Sequence, residues 1–153
     1  MRKRQTVNEA TYPLDGECLA TFLVYQATVT QVGGPTETYI GATAPTFKLR
    51  LGNHTKSFRH LHYSKDSKLS KHIWSLKRQN ADYDTKWKII SKVKQPFNPV
   101  TGVCHLCTEE KYQIIFNSEL GSLNKRDEMK NHCRHKTKFL LGSCLLSLIS
   151  TSN

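Results

Sequence analysis

"CLATFLVYQATVTQVGGPTETYIGAT", residues 18–43, reads as two strands and the turn between them. "CLATFLVYQATVTQV" is rich in β-branched and aromatic residues, "GGPTE" carries the turn chemistry, and "TYIGAT" is the strand returning. Pro45 and Thr46 then mark a helix start, with Thr46 as the N-cap of "FKLRLGNHTKSFRHL", which Gly52 weakens. Ahead of the hairpin, residues 1–17 are polar and basic and read as an irregular arm.

A second helix is expected in "DSKLSKHIWSLKRQN", where Leu69, Ile73, Trp74 and Leu76 form an apolar stripe and Asp66 or Ser67 caps the start. "DTKWKIISKV" alternates as a third strand, with Trp87, Ile89 and Ser91 on one face. "KQPFNPVTGVCHLC" reads as a loop, "TEEKYQIIFNSE" and "LNKRDEMKNHC" as helices, and residues 142–153 as a tail. The expected fold is therefore α+β: a small three-stranded antiparallel sheet flanked by helices.

With 153 residues the chain has the length of one domain. Its formal charge of +11, from 23 Lys and Arg against 12 Asp and Glu, points to a polyanionic partner, nucleic acid first. No apolar segment follows the basic start, so no signal peptide is expected. The longest apolar stretch, "FLLGSCLLSLI" at 139–149, is 11 residues, too short for a bilayer, and no membrane partner is expected.

Five cysteines without an export signal favour reduced thiols or metal ligands over disulfides. "CHLC" at 104–107 and, 25 residues on, "CRH" at 133–135 have the spacing of a structural zinc site. Cys104, Cys107, Cys133 and His135 are the expected ligands, with His105 and His132 as substitutes. The alternative is a set of free buried cysteines.

Arg50 and His54 are four residues apart on the first helix and so meet on one face, where the guanidinium opposes protonation of the imidazole. Two ordinary surface residues on a basic helix are the competing account. Glu109 and Glu110 open the third helix, where acids complement the helix dipole; near a basic groove, such an acid also suits a magnesium ion.

In order and rough spacing, "LVY" at 23–25, "YIG" at 39–41, Arg50, His54, Glu110 and Asn124 resemble the motif set of GIY-YIG endonucleases. "YIGATAPTFKLRLGNHTKSFR", "LSKHIWSLK", "CHLCTEEK", "LNKRDE" and "CRHKTKFLL" narrow the resemblance to the nuclease domain of Penelope-like retroelements, in which a cysteine knuckle is inserted in the core. It spans residues 18 to about 141. The first tripeptide keeps only its tyrosine, and the gap between the two tyrosines is longer than is usual in the wider family. Tyr12 in "YPLDGEC" stands where related elements often carry another cysteine, which leaves Cys18 without a companion.

The resemblance implies a divalent-metal-dependent DNA endonuclease, hydrolysing a phosphodiester in line with one Mg²⁺ or Mn²⁺ ion. Tyr25 and Tyr39 would hold the attacking water and the scissile phosphate, Tyr25 being the proton acceptor ahead of His54. Arg50 would stabilise charge on the phosphate, Glu110 would bind the metal, and Asn124 would position the backbone or the metal's water. Gly41 would let the strand approach the phosphate, and Lys48, Lys56, Arg59, Lys125 and Arg126 would hold the DNA backbone. It also implies a nuclear location and an origin in fusion to a reverse transcriptase, which this chain does not contain. The rival expectation is a zinc-stabilised nucleic-acid-binding module without turnover.

Overall fold

The computed structural model describes residues 14, 16–117, 121–124, 133 and 135. The hairpin is formed by β1 (Leu23–Gln31) and β2 (Thr36–Thr43), with Gly33 in the left-handed conformation at the turn, φ 71°. Cys18 lies in a 3₁₀ turn, Glu17–Leu19, so the first strand begins five residues later than its composition suggests. Leu14 and Cys18 are buried in the main core, so the end of the expected arm packs against the domain.

α1 (Phe47–Arg59) begins at Thr46, whose hydroxyl accepts from Leu49 N–H. α2 (Lys68–Arg78) is capped by Ser67, the second of the two expected caps, which accepts from Ser70 N–H at 3.0 Å. α2 ends in a Schellman arrangement: Asn80 adopts φ 52°, Ala81 N–H donates to Leu76 C=O and Asn80 N–H to Lys77 C=O. The chain thus reverses at once and delivers Ala81 to the core.

β3 (Tyr83–Lys92) completes the antiparallel sheet in the order β2-β1-β3. Being central, β1 is buried on both faces, and its side chains divide by alternation. Tyr25, Ala27 and Val29 join Tyr39, Phe47, Leu69, Ile73 and Leu76 under α1 and α2. Val24 and Ile40 pack on the other face with Leu106 and Ile114. A bulge at Ile90 shifts the register, so that Ile89 opposes Tyr25 and Ser91 opposes Val24. Ser91 therefore leaves the face of Trp87 and Ile89, contrary to simple alternation.

Two further elements correct the expected loop at 94–107. β4 (Phe97–Asn98) and β5 (Val103–Cys104) form a two-residue hairpin, closed by Gly102 N–H on Asn98 C=O. α3 (His105–Phe116) then starts inside the "CHLC" motif, three residues before the expected Thr108. The expected helix at 123–133 lies mostly outside the described residues; Gly121–Asn124 run along the free edge of β2, with Leu123 N–H donating to Thr38 C=O at 2.8 Å. Among the described residues no helix is long and apolar enough to cross a membrane.

Ile73 is fully buried between α2 and the sheet. Ile73→Ala should lower unfolding stability by about 2–5 kcal/mol, read from the urea midpoint at fixed metal content.

Candidate active site and metal centre

The pairing of Tyr25 with Gly41 creates the site. Tyr25 leans across β2, and a Cβ at Gly41 would meet the Tyr25 Oη at 2.5 Å and the Tyr39 ring at 3.0 Å. Only glycine leaves room for both rings. The Tyr25 hydroxyl then reaches α1, where Arg50 Nε–H donates to it at 2.9 Å and His54 Nε2 lies 2.7 Å away.

Arginine only donates, so Tyr25 Oη accepts from Arg50, and with the imidazole proton on Nδ1 the phenol can give its own hydrogen to His54 Nε2. Burial, with Arg50 as the second cause, pulls the His54 pKa down to about 3, in agreement with a neutral ring. Phe58 stacks on that ring at 5.9 Å between centroids, and Trp87 lies tilted at 5.4 Å. His54 is buried, and the account of Arg50 and His54 as ordinary surface residues does not hold.

Burial pushes the Tyr25 pKa up to about 12 against the opposing pull of Arg50, and Glu110 adds to the rise. At Arg50, burial acts to lower the pKa, but Tyr25, Tyr39 and Glu110 outweigh it and the guanidinium is held more firmly charged. The two phenols, the guanidinium and the α3 carboxylate thus share one electrostatic neighbourhood. Asn124 stands apart in role: its Oδ1 accepts from Ile40 N–H at 2.7 Å and its Nδ2 donates to Ile40 C=O at 2.9 Å. A single amide imitates a neighbouring strand and pins the backbone between Tyr39 and Gly41. Ser122 does the same at Thr38, accepting from its N–H at 2.8 Å, an interaction the sequence gives no sign of.

The expected basic contacts fall elsewhere. At about 100° per residue, Lys48, Lys56 and Arg59 lie about 160°, 120° and 180° around α1 from Arg50. They line a groove on the outer face of the helix. Lys125 and Arg126 lie outside the described residues.

Cys104, Cys107, Cys133 and His135 converge, their ligand atoms all within 4.8 Å of one another. Cys107 Sγ is 3.3 Å from Cys133 Sγ and 3.2 Å from His135 Nδ1, and Cys104 Sγ is 3.8 Å from the same nitrogen. Bond lengths near 2.3 Å for Zn–S and 2.0 Å for Zn–N give tetrahedron edges of about 3.5–3.8 Å, so the cluster can hold zinc. Burial and the adjacent thiols raise the Cys107 pKa, and a cation is what would let these thiols ionise together. No described cysteine is in a disulfide. His105 is exposed and outside the cluster, and His132 lies outside the described residues.

Comparison with known proteins returned no matching family model, no matching curated protein and no matching solved structure.

His54 gives a pH prediction. Its folded pKa lies below the ordinary histidine value of 6.5, so the stability it contributes is present above pH 6.5 and is lost as pH falls toward 3. Wild type should lose stability over that range more steeply than His54→Gln, by up to about 1.4 kcal/mol per pH unit. Parallel urea titrations check the difference, which cancels the contribution of the metal cluster. For the cluster, a zinc chelator should lower the thermal midpoint of the wild type and leave Cys107→Ser, already destabilised, nearly unmoved. Co²⁺ substitution should give the visible absorption of a tetrahedral thiolate site.

Proposed function

We propose that the chain is a divalent-metal-dependent DNA endonuclease domain of the GIY-YIG type, similar to the nuclease of Penelope-like retroelements, which nicks DNA by in-line hydrolysis. The observation that carries this reading is the Tyr25 hydroxyl held between Arg50 Nε and His54 Nε2, with Tyr39 and Glu110 acting on the same guanidinium.

In this reading Tyr25 and His54 work as one unit. The attacking water gives its proton to Tyr25 Oη while the Tyr25 hydrogen passes to His54 Nε2, so the phenol never has to exist as free phenolate. The resulting imidazolium is disfavoured at rest, and the negative charge gathering on the attacked phosphate offsets that penalty. Arg50 commits Nε to Tyr25, and its two terminal nitrogens meet the phosphate oxygens. Tyr39 holds the water and phosphate, and Asn124 keeps the strand that carries Tyr39 in register.

Glu110 would hold Mg²⁺ or Mn²⁺; its charge is already felt at Tyr25 and Arg50, and one carboxylate suits an ion that keeps most of its waters. When bound, that ion supplies stabilisation of the departing 3′ oxygen. The Cys/His cluster would hold structural zinc, and a nuclear site of action follows from the same reading.

A second reading has its own observation. Tyr25 has no exposed surface, and its hydroxyl is engaged by both neighbours, as a purely structural knot would be. The chain would then be a zinc-stabilised nucleic-acid-binding module. Incubating the zinc-loaded chain with supercoiled plasmid and Mg²⁺ decides. The enzyme produces nicked circles, and Arg50→Ala and Glu110→Ala each slow nicking by about 10²–10³-fold. DNA binding by the wild type without nicks leaves the binding module.

A further inference from the structure

The outer face of α1 carries a groove of about 440 Å³ lined by Lys48, Leu51, Gly52, Thr55, Lys56, Arg59 and His60. We propose that this groove is a second nucleic-acid backbone site, separate from the wall that holds Arg50, and that it anchors a stretch of duplex DNA away from the scissile phosphate. The proposal rests on the nucleic-acid side of the reading above and is independent of turnover.

The chemistry of the lining favours a phosphate chain. Three fixed cations, Lys48, Lys56 and Arg59, and one hydroxyl donor, Thr55, face the groove, and among the described residues no acid does. From Thr38 to Lys65 the sequence contains no Asp or Glu at all, so no acid on α1 or its flanking turns neutralises them. At 1.5 Å per residue, the eleven steps from Lys48 to Arg59 cover about 16 Å, long enough to meet several successive phosphates of one strand. An acidic protein partner would call for an aromatic or large apolar anchor at the centre, and among the described lining residues Leu51 alone has an apolar side chain. Lys56 is held in place by the ring of Tyr63, 4.5 Å from its Nζ, which reduces the entropy lost on binding.

Gly52 lies among these residues, and a Cβ at that position would meet nothing within 4 Å. In mid-helix glycine is less favourable than alanine. Here its bare surface keeps the floor of the groove open for a backbone to approach. The same bareness makes it a clean probe, because a Cβ added there meets no neighbouring atom.

The test is fluorescence anisotropy of a labelled duplex of arbitrary sequence with the zinc-loaded full chain, without Mg²⁺, at several salt concentrations. Gly52→Glu, which puts an acid into open space, should weaken binding at least tenfold. The triple variant Lys48→Gln/Lys56→Gln/Arg59→Gln should weaken it further and lower the slope of log affinity against log salt by about 2–3, roughly one for each phosphate that no longer meets a cation. A triple variant of equal charge change on exposed β3 and loop lysines, Lys86→Gln/Lys88→Gln/Lys94→Gln, should do less in both respects. The proposal is overturned if the two triple variants weaken binding equally, which would mean binding follows net charge alone, or if Gly52→Glu binds as the wild type does. Groove-dependent binding in a chain that never nicks plasmid would sink the nuclease reading and leave the groove standing; nicking with groove variants of unchanged affinity would do the reverse.

Discussion

The missing side chain at Gly41 is the constraint from which the site follows. Because that position carries no Cβ, the Tyr25 ring can cross β2 and bring its hydroxyl to α1. Once there it meets a guanidinium that can only donate and an imidazole kept neutral by burial. The helix, the hairpin and the ring stack of Phe58 and Trp87 around His54 are then locked to one another through a single oxygen. A buried polar network favours one arrangement of its surroundings, and here it sets how α1 sits on the sheet.

α1 has two faces with different tasks. Phe47, His54 and Ser57 are buried, and Arg50 reaches Tyr25 from that side; Lys48, Lys56 and Arg59 face outward. A helix this polar has little apolar surface to hold it, so hydrogen bonds do much of the holding: Ser57 Oγ meets Ser70 Oγ at 2.6 Å, and Trp74 Nε1 donates to Ser57 C=O at 2.8 Å. A metal held by the Cys/His cluster would act on α3 in a comparable way. Glu110 and Asn124 both lie on the chain between Cys107 and Cys133, so a bound ion would close a loop that carries two residues of the candidate site.

Much of this was legible from local chemistry. β-Branched runs and a Gly-Gly-Pro turn reveal the hairpin, Thr46 and Ser67 announce their helices, and the spacing of Cys104, Cys107, Cys133 and His135 points to the cluster that could hold a metal. What was hidden depended on tertiary neighbours. His54 looks like a solvent-facing residue until Trp87, far along the chain, covers it. The two-residue strands β4 and β5 are too short to show a period, and α3 begins within residues whose cysteine spacing reads as a knuckle. The bulge at Ile90 breaks an alternation that the sequence alone continues. The outward direction of Lys48, Lys56 and Arg59 was computable from helical geometry, and charge alone conceals it.

A small open sheet has two borders where unpaired amides and carbonyls invite a second molecule to add a strand. On β2 that invitation is withdrawn by Ser122, Leu123 and Asn124, which occupy the hydrogen-bonding groups of Thr38 and Ile40. On β3 it is discouraged differently, by exposed Lys86 and Lys88, whose repulsion of their own kind would face any copy approaching side by side. The polypeptide is thereby protected against fibrillar stacking by two unrelated means, one covering the border and the other charging it.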